Sequence, residues 1–172
     1  AIAVGDEFAL ALDKDGSVWS WGRNNVGQLG ASGVSSRTFA QKVTVGQQSH
    51  ETEELYLKDI RTIAAGDNFA GAVDKFGYVY TWGSNAYGQL GNGRSSTQVS
   101  YSASPVWVEA GLSTPSSVQV DNTVSQYLRD IVELAAGERH FVAMKDNGSI
   151  WTWGYVESGY EQGTEYVGAS HI

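Results

Sequence analysis

Histidines, paired carboxylates, serines and a glycine-rich tetrapeptide are the residues of this chain that could do chemistry, and each lacks the spacing its chemistry needs. His50, His140 and His171 are far apart, and there is no cysteine to complete a ligand set. Zinc and similar ions are held by ligands closely spaced on one or two elements, so no metal site is expected. Asp6-Glu7 could act as general acid and base, but the same place in later copies of the surrounding pattern reads Asp67-Asn68 and Glu138-Arg139. Carboxylates that come and go in this way mark a loop tip. Gly27-Gln28-Leu29-Gly30 lacks the Lys-Ser/Thr ending of a phosphate loop, and no helix follows to offer its N-terminus. Serines are plentiful, yet there is no Gly-x-Ser-x-Gly elbow and no recurring Ser, His and Asp set. Asn147-Gly148-Ser149 is formally a glycosylation sequon, but it reads first as a hairpin turn. The expectation is no catalytic residue, no cofactor and no small-molecule ligand: not an enzyme.

Any functional residue must be positioned by a pattern written three times. The first copy starts at Val4-Gly5-Asp6-Glu7 and continues through an apolar stretch, Phe8-Ala9-Leu10-Ala11-Leu12. A turn, Asp13-Lys14-Asp15-Gly16, leads to a second stretch, Ser17-Val18-Trp19-Ser20-Trp21-Gly22. The copies at 65–83 and 136–154 follow the same order, and Gly5, Gly66 and Gly137 lie 61 and then 71 residues apart. A supersecondary unit recurring at such intervals predicts a repeat architecture whose units bury their faces against one another. Runs of β-branched and aromatic residues around an Asp-Gly or Asn-Gly turn predict a β-hairpin in each copy. Its first strand is rich in small residues and its second carries the indoles. Such a gradient suits a wedge, narrow where sheets converge and wide at the rim. Both faces are apolar, so each sheet needs neighbours on both sides, and radially stacked blades of a β-propeller answer that need. Five of the six tryptophans (Trp19, Trp21, Trp82, Trp151 and Trp153) fall at repeat-equivalent places, which predicts core packing; Trp107 is read as structural as well.

The expected organisation is a single repeat domain over 1–172, with repeats at about 1–55, 56–126 and 127–172 and inserts at about 31–55 and 92–126. Tyr56-Leu57-Lys58-Asp59-Ile60 and Tyr127-Leu128-Arg129-Asp130-Ile131 lead into inner strands expected at Thr62–Ala65 and Glu133–Ala136. Within the inserts, 47–54 reads as a polar, acidic solvated loop, and 113–125 as an extra hairpin.

Eleven basic residues against nineteen acidic ones give a net charge of −8. That balance argues against direct nucleic-acid binding, which needs clustered positive charge. It suits solubility or a basic partner. No run of 18 apolar residues exists, so no membrane span is expected. Low lysine, no cysteine and abundant Ser, Thr and Gly favour an extracellular, surface or virion-associated setting.

After each of the first two Trp-Gly pairs comes a tail, Arg23-Asn24-Asn25-Val26-Gly27-Gln28-Leu29-Gly30 and Ser84-Asn85-Ala86-Tyr87-Gly88-Gln89-Leu90-Gly91; the third copy decays at Tyr155-Val156-Glu157-Ser158-Gly159. The order Ala-Ala-Gly, hairpin, Trp-x-Trp-Gly-x-Asn-x-x-Gly-Gln-Leu-Gly resembles the regulator of chromosome condensation repeat, and the likeness covers the chain outside the inserts. It implies an all-β fold of antiparallel propeller blades, usually seven. The histidine common after the Ala-Ala-Gly turn appears here only as His140, with Phe8 and Phe69 at the other two places. The chain opens with Ala1, inside a repeat, and holds about three blades where closed propellers take about 4–8. An arc, or a segment of a larger seven-bladed type of propeller, is expected, its open ends rich in tryptophan and alanine.

By the same resemblance, partners are bound through turns at one propeller face. The matching positions are Asp6, Glu7, Asp67, Asn68, Glu138 and Arg139, joined by the tail residues Arg23, Asn25, Val26, Ser84, Ala86 and Tyr87. Their variation on a constant framework is what a grafted surface would show, and Tyr87 is the favoured anchor. The leading expectation is a non-enzymatic protein–protein interaction module that binds another protein or copies of itself. The first alternative is a structural tile of a larger assembly, joined through its apolar ends. The second, implied by the family's best-known members, is guanine-nucleotide exchange on a small GTPase.

Overall fold

The two apolar stretches of each copy pair as a hairpin, and a strand on either side completes a four-stranded sheet. A computed structural model describes residues 1–46, 55–110, 127–156 and 164–171. Its first sheet is β1 (Ile2–Val4), β2 (Phe8–Leu12), β3 (Val18–Gly22) and β4 (Arg37–Lys42), antiparallel and in chain order. The second is β5 (Ile60–Ala65), β6 (Phe69–Asp74), β7 (Val79–Ser84) and β8 (Tyr101–Trp107). The third is β9 (Ile131–Ala136), β10 (His140–Lys145), β11 (Ile150–Val156) and β12 (Thr164–His171). The chain is therefore all-β in its described residues, three propeller blades in a row. Among those residues no helix is long and apolar enough to cross a membrane.

The segments read as inserts carry the outermost strands, β4 and β8, so they complete blades. The sequence signal is weak there because a rim strand buries less: β4 is mostly exposed or half-buried along its length. The loop expected at 47–54 and the hairpin expected at 113–125 lie outside the described residues.

The hairpins are in equivalent register, with Ala9 opposite Trp21, Ala70 opposite Trp82 and Phe141 opposite Trp153. Side chains alternate along a strand, so each hairpin sends one set toward the preceding blade and the other toward the next. Phe8, Leu10 and Val18 of blade 1 meet Ala70, Ala72 and Trp82 of blade 2 in one buried cluster. Phe69, Val73 and Val79 of blade 2 meet Phe141, Ala143 and Trp153 of blade 3 in another. All six residues of β6 are buried, as a strand with neighbours on both faces requires. The two interfaces fill the same space differently. At the first, Leu10 faces the small Ala70; at the second, Gly71 faces the large Phe141, and a Cβ on Gly71 would come within 2.9 Å of that ring.

Burial divides the repeat tryptophans. Trp82 and Trp153 are fully buried, each indole nitrogen donating to a backbone carbonyl in the tail of the preceding blade: Gln28 and Gln89, both at 3.0 Å. Trp21 is half-buried, because no described residue covers its face of blade 1. Trp19 and Trp151 are also half-buried, and Trp19 donates instead to Asp13 at 2.8 Å. The same bare face leaves Ile2 80% exposed, whereas Ile63 and Leu134 in its place are buried.

Backbone hydrogen bonds link the blades as well. Asp59 and Asp130 adopt left-handed conformations, φ 57° and 65°, uncommon for residues with a side chain. Each turns the chain so that its carbonyl accepts from the hairpin of its own blade, Lys75 N at 2.8 Å and Asp146 N at 3.0 Å. The next N–H donates to the hairpin of the blade before, Ile60 to Gly16 at 3.0 Å and Ile131 to Gly77 at 3.2 Å.

Candidate functional site

The turns after the inner strands and the tails after the Trp-Gly pairs come together on one face. Arg23 N donates to the Glu7 carbonyl at 2.8 Å, Ser84 N to Asn68 at 2.9 Å and Tyr155 N to Arg139 at 3.0 Å. Neighbouring inner turns are joined as well: Asp6 N donates to the Asp67 carbonyl at 3.0 Å, and Asp67 N to Glu138 at 3.5 Å. All twelve residues singled out in the sequence therefore lie on the same side of the arc, opposite the hairpin turns.

Beneath them sits a frame of four side-chain amides, of which Gln28, Asn85 and Gln89 are buried and Asn24 is half-buried. The Asn24 and Asn85 side-chain oxygens accept from Leu29 N and Leu90 N at 2.9 and 3.0 Å. Their amide nitrogens donate across the loop to the carbonyls of Val34 (2.6 Å) and Val99 (2.7 Å). The Gln28 and Gln89 side-chain oxygens accept from Val26 N at 3.0 Å and Tyr87 N at 2.7 Å. Side-chain amides with this many partners hold a loop in one conformation. These four residues were absent from the sequence-derived site, although their recurrence in both tails was the available signal. They position the face, while Asn25, Val26, Ala86 and Tyr87 project from it.

Three groups form on that frame, two of them spanning adjacent blades. Glu7 and Arg23 make an ion pair on blade 1. The Gln28 amide donates to Asn25 at 2.9 Å and, across the blade boundary, to Asn68 at 3.4 Å. Tyr87, from the tail of blade 2, lies under the Arg139 guanidinium of blade 3, 4.8 Å from its ring centroid. It also packs at 5.3 Å against Tyr155, and Arg139 is held from its other side by Glu138 at 2.8 Å. The structure so joins three predicted residues of two blades, Tyr87, Glu138 and Arg139, with an aromatic ring that the sequence did not flag. Ser84, Val26 and Ala86 stay outside these groups; the Ser84 hydroxyl accepts from Ala86 N at 3.3 Å.

Toward the inner end of the face, Asp6, Asp67 and Glu138 rim an open concavity of about 500 Å³ floored by Gly5, Gly66 and Gly137. Partial burial, then the charges of Glu138 and Asp6, raise the Asp67 carboxyl above its ordinary value, with Arg139 opposing them. At the concavity Phe8 and Phe69 cover their turn glycines, and the His140 ring stands in the same place against Gly137. The face thus offers an acidic centre, two arginines farther out and one half-buried aromatic pair: material for polar and cation–π recognition.

Comparison with known proteins agrees with this architecture. One family model for the regulator of chromosome condensation (RCC1) repeat matches residues 1–28, 60–89 and 131–160, and a second with the same description matches 15–73 and 77–144. Human E3 ubiquitin-protein ligase HERC2 is 31% identical over 90% of this chain, which spans 3% of that protein. The Arabidopsis thaliana ultraviolet-B receptor UVR8 is 30% identical over 92% of the chain, which spans 30% of its length. Among solved structures, human WBSCR16 superposes with a TM-score of 0.72 at 20% identity, over the whole chain and 37% of its own. Prp20p from Saccharomyces cerevisiae, described with its binding to Gsp1p and histones, superposes with a TM-score of 0.67 at 20% identity, over the whole chain and 38% of its own. The chain therefore covers well under two thirds of each of these proteins.

Proposed function

Since the chain belongs to the regulator of chromosome condensation (RCC1) repeat family, we propose that it is a non-enzymatic protein-binding module whose partner sits on the loop face. The observation that carries this reading is the composite of Tyr87, Arg139, Glu138 and Tyr155. It is an aromatic and a cation held together across a blade boundary, standing on side-chain amides common to both complete tails. Tyrosine and arginine in a preorganised cluster are the residue types that dominate binding energies at interfaces. The acidic rim of Asp6, Asp67 and Glu138 favours a partner that presents a basic segment to the inner end and acidic or aromatic groups farther out. The binding of Prp20p to Gsp1p and histones lends the module a precedent within the fold. Guanine-nucleotide exchange on a small GTPase remains the second alternative.

A photo-crosslinking amino acid placed at Tyr87, at Asn68 and, as an opposite-face control, at Lys14 tests the proposal. Discrete adducts from the first two positions, lost on Arg139→Glu and absent from the third, are the expected result. Equal labelling from both faces would remove the loop face from consideration. A second reading, the structural tile, is favoured by one observation: Ile2, Ala9, Ala11 and Trp21 make an uncovered apolar sheet face on blade 1. Mass that rises with concentration and falls on Trp21→Glu would support it.

A further inference from the structure

The rim of blade 1 holds a cavity that blade 2 fills with its own rings. In blade 2, Trp107 stands opposite Tyr80 across β7 and β8. Its indole stacks on Tyr78 with centroids 5.7 Å apart and meets Tyr80 and Tyr127 edge-on at 6.2 and 4.5 Å. The same registers in blade 1 put Lys42 opposite Trp19, and pair Thr44 with Tyr56 as Glu109 is paired with Tyr127. Ser17 occupies the place of Tyr78. Two rings of the box are thus missing and two remain, leaving an open cavity of about 520 Å³ lined by Trp19, Arg37, Lys42, Thr44 and Tyr56. In blade 2 the filled box is made by that blade and the segment leaving it, so the cavity is not a seat for a neighbouring blade.

The walls of this cavity carry positive charge where blade 2 has none: Lys42 and Arg37 stand in the places of Trp107 and Ser102. The Lys42 ammonium lies 5.4 Å from the centroid of Trp19. On Arg37, Nε and Nη1 are shut off from water and donate to no acceptor among the described residues. A guanidinium so placed is unfavourable until an acceptor arrives, and a carboxylate is the acceptor its planar fork fits best. Two cations at one cavity also run against a chain of net charge −8.

We propose that this cavity docks an extended segment of a protein partner, inserting an aromatic side chain between Trp19 and Tyr56 and presenting an adjacent carboxylate to Arg37 and Lys42. Trp107 supplies the template for the ring, and the orphaned nitrogens of Arg37 specify the acid beside it. This site is separate from the loop face and does not rest on it.

The test is fluorescence anisotropy with a labelled peptide, Gly-Asp-Asp-Trp-Asp-Asp-Gly, titrated with the whole chain. Saturable binding is expected, weakened at least about tenfold when the peptide's Trp is replaced by Ala, since a buried aromatic anchor is worth that much or more. Replacing its Asp residues by Asn should weaken it similarly. Lys42→Trp, which gives blade 1 the ring that blade 2 already has, should abolish binding while keeping the wild-type circular dichroism. Tyr87→Ala, on the loop face, should leave binding unchanged. Binding that survives Lys42→Trp, binding lost in Tyr87→Ala, or no saturation up to about 1 mM (a free energy of about −4 kcal/mol) overturns the assignment. Should Lys42→Trp not fold, Arg37→Gln decides: an unchanged affinity for the Asp peptide overturns it, and at least a fivefold loss supports it.

Discussion

Exchanging volume across the second blade interface should reproduce the first. At the boundary of blades 1 and 2 a leucine, Leu10, faces an alanine, Ala70, and both are fully buried; at the boundary of blades 2 and 3 Gly71 faces Phe141. Gly71→Leu alone forces atoms into a space where even a Cβ lies 2.9 and 3.0 Å from Phe141 and 3.1 Å from Leu134. Overpacking of this kind costs about 3 kcal/mol, the upper end of its usual range. Phe141→Ala alone empties a site where the ring is packed at 4.9 Å against Phe69 and at 5.1 Å against Trp153; such truncations cost about 3–5 kcal/mol. If the two losses were independent, the double variant would lose about 6–8 kcal/mol, most of a domain's stability. The new leucine instead fills the space the ring vacated, so the double variant should lose only about 3 kcal/mol, a coupling of about 3 kcal/mol or more. Urea unfolding followed by tryptophan fluorescence reads all four proteins. Losses that add to within about 0.5 kcal/mol would refute the idea that the two interfaces are one packing solution written in two ways.

Three further outcomes follow from individual contacts. Trp153→Phe leaves the buried Gln89 carbonyl without its donor and should cost about 1–3 kcal/mol, whereas Trp21→Phe, which breaks no described hydrogen bond, should stay within about 0.5 kcal/mol in thermal unfolding. Asp59→Asn should be tolerated at φ 57° and Asp59→Val should cost about 1–3 kcal/mol, because a branched side chain resists that conformation. Asp67 binds its proton more readily folded than unfolded, so between its ordinary value of 3.8 and its raised folded value stability should rise as pH falls. Above that window the charged form is a constant handicap; Asp67→Asn should remove it and flatten the acid limb in pH-dependent unfolding, and an unchanged limb would count against the crowding of Asp67 by Glu138 and Asp6.

The hairpins, the inner strands and the propeller class were legible because each depends on a recurring local rule: a Gly-ended turn and a Trp- or Tyr-rich second strand in all three copies, and Ala-Ala-Gly before the loop in two of them. What escaped reading depends on pairs distant in the chain. Trp21 and Trp82 occupy the same place in the pattern, and only the presence of a tail over one and not the other divides a half-buried indole from a fully buried one. The outer strand β4 was missed as a strand because rim positions buried on one face follow no strong apolar alternation. At the loop face the variable residues were found by comparing copies. Asn24, Gln28, Asn85 and Gln89 were passed over, since residues that do not vary look like scaffold, and here the scaffold is what presents the face. Tyr155 could not be singled out, because the third tail has lost the motif that would have marked it.

The backbone bonds between blades carry a mechanical consequence. Each sheet is pinned to the next at two heights: near the loop face by Asp6 to Asp67 and Asp67 to Glu138, and near the hairpin turns by the left-handed Asp59 and Asp130. Two pins on one edge define a hinge line and leave one rotation free, that of blades opening like pages. The tail carbonyls of Gln28 and Gln89, gripped by Trp82 and Trp153, act as a third point off that line and lock the page. Load that spreads the arc should therefore fall on one indole hydrogen bond at each boundary, beside the buried apolar cluster that the boundary holds.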